Sequence, residues 1–138
     1  MKSQIGKTFM FSSSHILWRE DWSPEQNVEV FGQCANDHGH NYEMTVGVLG
    51  DVDEETGMVI NYSEIGKVVK PVVEMLDHTR LNDHFEHLTT AELMSSTLVS
   101  RFAVGLFNHN NIEKVFVRLQ ETPKTFAQSQ IGREEFTA

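Results

Sequence analysis

Side-chain character alternates strictly over two stretches of this chain. Each of them contains histidine at one end, and no other feature constrains the fold as strongly. In Ile5 to His15, the residues Ile5, Phe9, Phe11, Ser13 and His15 share a parity. Residues two apart lie on one face of a strand, so His15 ends a strand on its apolar face. From His38 the alternation returns, with His38, His40, Tyr42, Met44, Val46 and Val48 on one side and Asn41, Glu43 and Thr45 on the other. A strand that starts at His38 turns both imidazoles of His38-Gly39-His40 the same way. Near the end, Val115, Val117 and Leu119 alternate with Phe116, Arg118 and Gln120, a third strand whose next inward residue is the carboxylate Glu121. Thr125 to Ile131 predicts a fourth strand.

Helical spacing fills the middle. Ile65, Val68, Val69, Val72, Val73 and Leu76 follow a capping-box pattern at Asn61-Tyr62-Ser63-Glu64, and Pro71 inside the run predicts a kink. Met94, Leu98, Phe102 and Leu106, flanked by Val99 and Ala103, follow a second box at Thr89 to Glu92 and stop at Asn108-His109-Asn110-Asn111. Residues Trp18 to Phe31 lack a period and read as a long loop. Asp51 to Gly57 reads as an acidic turn before a short extended piece, Met58 to Ile60, and Asp77 to Leu88 as a polar loop. The order ββααββ implies an α+β domain, a four-stranded antiparallel sheet with both helices on one face. No repeat, low-complexity tract or linker divides the 138 residues, so residues 1–138 are expected to form one domain.

Charge narrows the partners. Eleven Lys+Arg against 20 Asp+Glu give a net charge of −9, with no basic cluster for a phosphate backbone, which argues against nucleic acid. An anionic small ligand fits only if a bound cation reverses the local sign. No apolar run approaches the roughly 20 residues of a membrane span, and the start lacks a secretory apolar region, so a soluble, cytoplasmic protein is expected. The one cysteine, Cys34, has no disulfide partner within the chain.

Three neutral imidazoles, His15, His38 and His40, converging on one point would make a zinc site with a fourth position free for water or substrate. Taken alone, His-Gly-His is a weak signal that reads more readily as two surface histidines at a strand start. Cys34 has three readings: a small buried hydrophobe, a fourth zinc ligand, or a thiolate base. Two Asp-His dipeptides, Asp77-His78 and Asp83-His84, could each pair a carboxylate with an imidazole for proton transfer, or be solvated turns. His87 and His109 read as surface-loop residues. An inward Glu121 needs a partner or a ligand, and its two oxygens could receive parallel N–H donors from a planar heterocycle, unless it is an exposed strand end. Glu92 has a structural role available as the capping-box acid.

The blocks FSSSH (11–15), FGQC (31–34), HGHNY (38–42), TGMVINY (56–62), LDHTRLND (76–83), TTAE (89–92) and ETPKTF (121–126) occur in an order that resembles the 6-pyruvoyltetrahydropterin synthase family. That family includes the bacterial queuosine-pathway 6-carboxy-5,6,7,8-tetrahydropterin synthases. The resemblance implies the tunnelling fold (T-fold), whose subunits pair sheets into a barrel, assemble as hexamers (dimers of trimers) and form their pockets between subunits. It implies Zn²⁺ on His15, His38 and His40, proton transfer by Cys34, Asp77 and His78, and a pterin ring held by Glu121, with Thr90 and Glu92 lining the same pocket. The implied activity is that of a zinc lyase converting 7,8-dihydroneopterin triphosphate to 6-carboxy-5,6,7,8-tetrahydropterin, acetaldehyde and triphosphate. The three residues between Cys34 and His38 resemble this queuosine branch, whereas FGQC and the loop before it resemble the pyruvoyl-forming branch of tetrahydrobiopterin synthesis. Ile16 stands where many relatives carry Arg, and the tail lacks the usual aromatic after ETPKTF. A non-catalytic zinc-stabilised module, closed by Cys34 as fourth ligand, is the reading from another class.

Overall fold

The computed structural model describes residues 1–137. Its elements run β1 (Lys2–His15), α1 (Pro24–Phe31), β2 (His38–Asp51), α2 (Tyr62–Leu76), α3 (Ala91–Leu106), β3 (Ile112–Thr122), β4 (Thr125–Gly132) and α4 (Arg133–Thr137). The strands form one antiparallel sheet in the order β1-β2-β3-β4. The inward parity predicted from alternation is the buried one: Phe9, Phe11, Tyr42, Met44, Val46, Val48, Val115, Val117 and Leu119 meet the helices Ile65 to Leu76 and Met94 to Leu106 in one core. Each fully buried Leu, Val or Phe there contributes roughly 1.5–3 kcal/mol relative to exposure.

The strand β1 pairs with β2 along its whole length, from Lys2 opposite Asp51 to His15 opposite His38. Cross-strand pairing thus brings the two histidine-bearing strand ends together without help from any loop. On the outer face Phe116 lies across Gly47, where any Cβ would collide with the Phe116 ring and the Ile5 carbonyl.

Two helices depart from the sequence reading. Residues 24–31 are helical, not loop: Ser23 accepts a hydrogen bond from Gln26 N at 3.1 Å and Pro24 takes the first helical position. Asn27 locks this segment, its side chain donating to Arg19 O and Ser23 O and accepting from Arg19 N at 2.8–3.1 Å. The terminal α4 is the other addition, tied to the sheet by Arg133, whose guanidinium donates to the carbonyls of Ile112, Phe107 and His109.

Both expected capping boxes are also modified. Asn61 caps α2 through Ser63 N, while Glu64 turns to Lys67 instead of back to the cap. The cap of α3 is Thr90, not Thr89, with its hydroxyl accepting from Leu93 N at 3.2 Å. Thr89 is fully buried and Glu92 is exposed, so neither plays the part that the box pattern suggests. The helix α2 continues through Pro71, which lies on its exposed side, where solvent can reach the carbonyl that proline leaves without a donor.

Candidate metal centre

His15 is 1 % exposed at the end of β1, and its Nδ1 lies 2.9 Å from the Thr89 carbonyl and 3.1 Å from the Thr89 hydroxyl. A carbonyl only accepts, so Nδ1 carries the proton and Nε2 presents a lone pair. His38 repeats the pattern, Nδ1 donating to Asn36 O at 2.7 Å. The Nε2 atoms of His15, His38 and His40 are all buried and have no hydrogen-bond partner. The ligand nitrogens of the three rings lie within 4.8 Å of one another; tetrahedral zinc, with Zn–N near 2.0–2.1 Å, needs about 3.3 Å. Leaving buried acceptors unpaired costs roughly 1–3 kcal/mol each, a cost that a cation at their common focus removes. The donor set therefore fits a zinc ion with one open position. Among the described residues no Cys, Asp or Glu oxygen or sulfur joins the three imidazoles in this cluster.

Burial favours the neutral form of His15 and of His40. It pushes His15 down to about 4, with the neighbouring His38 acting in the same direction. Burial also lowers His40, against the opposing pull of Glu121. Neutral imidazole is the form that ligates.

The other predicted residues surround this focus in separate groups. Cys34 is half-buried in the short 3₁₀ turn Gly32–Ala35, and its carbonyl accepts from Leu17 N at 2.8 Å, which draws the turn to the end of β1. Asp77 docks on the edge of β1, Oδ1 accepting from Ser12 N and Oδ2 lying 2.9 Å from His78 Nδ1. The Ser12 N–H and His78 hold the Asp77 carboxyl below its usual range, so it is ionised at neutral pH. His78 has φ of 58°, the only non-glycine residue in the left-handed region among those described, and its N–H donates to Ser12 O at 2.6 Å. This conformation costs about 1–2 kcal/mol and is imposed by the chain's return along β1. His78 opens on a cavity of about 530 Å³ that is also lined by Ser12, Gly39, His40 and Arg80.

Glu121 faces a different cavity, of about 540 Å³, shared with Glu92, Ala91, Thr125 and Phe126. Its Oε1 lies 3.3 Å from His40 Nε2, so His40 joins the two cavities. Thr90 spends its hydroxyl on the α3 cap. The second Asp-His pair is not one: His84 Nε2 bonds Thr79 Oγ1, not Asp83. His87 bonds Thr97, and His109 lies 4.0 Å from Glu64, both away from the cluster.

The sequence profile of the 6-pyruvoyl tetrahydropterin synthase family matches residues 4–131. The chain belongs to that family. Over 117 residues it is 33 % identical to the human 6-pyruvoyl tetrahydrobiopterin synthase, covering 83 % of this chain and 77 % of the relative. Over 133 residues it is 30 % identical to the 6-carboxy-5,6,7,8-tetrahydropterin synthase of Bacillus subtilis, covering 89 % and 82 %. The solved Caenorhabditis elegans 6-pyruvoyl tetrahydropterin synthase superposes with a TM-score of 0.83 at 28 % identity, over 96 % of this chain and 97 % of that one. The fold is accordingly the T-fold, and the chain is a pterin synthase of lyase type.

Three contributors to the site escaped the sequence reading. Thr89 orients His15. Asn82 clamps the residue after it, donating to Ile16 O and accepting from Ile16 N, both at 3.0 Å. Tyr42 carries the remaining buried polar atom without a partner, its hydroxyl, and burial together with the Glu121 charge pushes its phenol up. Only Tyr42 had a usable signal, because its inward parity buries a hydroxyl next to two proposed ligands.

Proposed function

We propose that the chain is a zinc-dependent lyase acting on 7,8-dihydroneopterin triphosphate in the cytoplasm, with 6-carboxy-5,6,7,8-tetrahydropterin, acetaldehyde and triphosphate as products. The observation that carries the reading is the convergence of three buried, unpaired Nε2 atoms beside an oriented Asp-His pair and an inward glutamate. Zinc bound to His15, His38 and His40 supplies a Lewis acid and template for the oxygens of the substrate side chain.

The chain's own residues do the rest. Glu121 accepts N–H donors of the pterin ring and fixes which side-chain carbon faces the metal corner, with Glu92 on the wall of the same pocket and Thr90 behind it, holding the start of α3. Cys34 as thiolate takes a proton from a side-chain carbon. His78, held in one tautomer by Asp77, delivers or accepts protons at its Nε2. The C–O bond to triphosphate breaks and triphosphate leaves with the bonding pair. Oxidation of the side-chain carbons balances reduction of the ring, so no nicotinamide is required, and water enters when the carbon–carbon bond to the acetaldehyde fragment is cleaved.

Asp77 and His78 project from the β1 edge, while Glu121 opens towards β4, and in a closed ring of copies these two edges meet. We infer a homohexamer, a dimer of trimers, in which the site is completed between subunits. No described helix is long and apolar enough to cross a membrane.

A second reading within the family is 6-pyruvoyl product formation, which ends before carbon–carbon cleavage. Relatives of that name reach 39 % identity over 87 % of this chain. Incubating the zinc-loaded protein with 7,8-dihydroneopterin triphosphate and identifying products by mass spectrometry separates the readings. Acetaldehyde with a 6-carboxy pterin is expected; a 6-pyruvoyl product without acetaldehyde selects the second reading, and unchanged substrate rejects both.

A further inference from the structure

Tyr42 is fully buried and its hydroxyl has no partner. Such a group costs roughly 1–3 kcal/mol and calls for an explanation in a native structure. Phe11 stacks on its ring at 5.0 Å, and His40 stands edge-on at 5.6 Å, so the ring is fixed and cannot turn its hydroxyl to solvent. Glu43 opposite Gln120 is the last pair of the β2–β3 ladder, so Tyr42 and Glu121 are the next residues of the two strands, Glu121 at the irregularity of β3 between Gln120 and Thr122; both flank His40, on the face that carries it. Glu121 meanwhile has its Oε1 3.3 Å from His40 Nε2. Once that nitrogen offers its lone pair to a cation, both atoms are acceptors and the carboxylate loses its neighbour. The Tyr42 O–H is a buried donor on that face which lacks an acceptor.

We propose that Tyr42 is the positioning residue for Glu121: with a cation on the three imidazoles, its hydroxyl donates to the Glu121 carboxylate and sets the angle at which that carboxylate meets a ligand. A carboxylate has about four lone-pair sites, so one taken by the hydroxyl leaves the outward pair free for two parallel N–H donors. The consequence for the ligand rests on the pterin reading above; the Tyr42–Glu121 bond itself does not.

The full chain loaded with Zn²⁺ tests this through Tyr42→Phe, Glu121→Gln and the double variant, with neopterin as a stable fluorescent probe. Tyr42→Phe is expected to keep one zinc per chain, to melt no lower than the wild type when metal-free, and to bind neopterin about tenfold more weakly. The double variant is expected to bind no more weakly than Glu121→Gln alone, because Tyr42 acts through Glu121. The chain has two tyrosines, and Tyr62 is 53 % exposed, so a slowly exchanging hydroxyl proton with cross-peaks to tyrosine ring protons in the NMR spectrum belongs to Tyr42. It should vanish in Tyr42→Phe and shift in Glu121→Gln. A Tyr42→Phe chain that binds neopterin as the wild type does, losses that add in the double variant, or a hydroxyl proton absent or indifferent to Glu121→Gln would overturn the proposal. If the wild type binds no neopterin but the hydroxyl proton responds to Glu121→Gln, the pair stands and the pterin reading falls.

Discussion

The metal corner and the Asp77-His78 turn occupy the same end of the sheet but hold their imidazoles in opposite ways. His15 is locked: buried, bonded through Nδ1 to Thr89, and kept neutral by its surroundings. His78 is 81 % exposed on a strained backbone, with a single carboxylate to orient it. A ligand gains from rigidity, because a fixed lone pair loses little entropy when it takes up metal. A proton carrier gains from access to solvent or to a neighbouring surface. Strand pairing supplies the rigidity of His15, and a turn laid along a strand edge supplies the exposure of His78.

The sharpest way to break this comparison is to remove a ligand. His38→Ala should lower zinc affinity more than about 1000-fold, leaving a purified chain with almost no metal by elemental analysis. Metal retained at one equivalent would mean that the three-histidine focus is not the site. Asp77→Asn attacks the other region. It keeps the size of the side chain but not its charge, so zinc content should hold while turnover falls roughly 100-fold; an equal fall in zinc content would erase the distinction between the two regions. Cys34→Ala is expected to behave like Asp77→Asn, with metal kept and turnover lost.

Thr89→Val is a finer probe. The carbonyl that orients His15 remains and only the hydroxyl goes, so zinc affinity should drop about tenfold by competition with a chromophoric chelator. An unchanged affinity would assign the orientation to the backbone alone. The smallest expected effect is on acid stability. The folded state holds His15 near 4, below the 6.5 of a free imidazole, so between those values the unfolded chain binds more protons. The metal-free protein should therefore lose melting temperature as pH falls from about 6.5 towards 4, and His15→Ala should flatten that slope. A slope unchanged by the substitution would place the titration elsewhere.

The sheet and the three-histidine cluster are legible in the sequence because a period of two settles which residues share a face. Once His15, His38 and His40 are assigned inward, antiparallel pairing of β1 with β2 leaves them little choice but to meet. The same parity accounts for the approach of Glu121 to His40. The α1 helix was hidden because Asn27 stabilises it through side-chain bonds that leave no periodic trace, although Ser23-Pro24 is a start signal. Thr89 was misassigned because Thr-Thr-Ala-Glu offers two caps one residue apart; burial against His15 decides for Thr90, and burial is a tertiary fact. Nothing in spacing separates Asp77-His78 from Asp83-His84; what distinguishes the first pair, docking on Ser12, depends on a contact 65 residues distant in sequence.

The account stands on three imidazole nitrogens around one zinc with a position left open. X-ray absorption at the zinc edge of the loaded protein tests this directly. Three nitrogens near 2.0–2.1 Å with one light, exchangeable oxygen are expected. A sulfur at about 2.3 Å would put Cys34 on the metal, close the site, and contradict the catalytic reading.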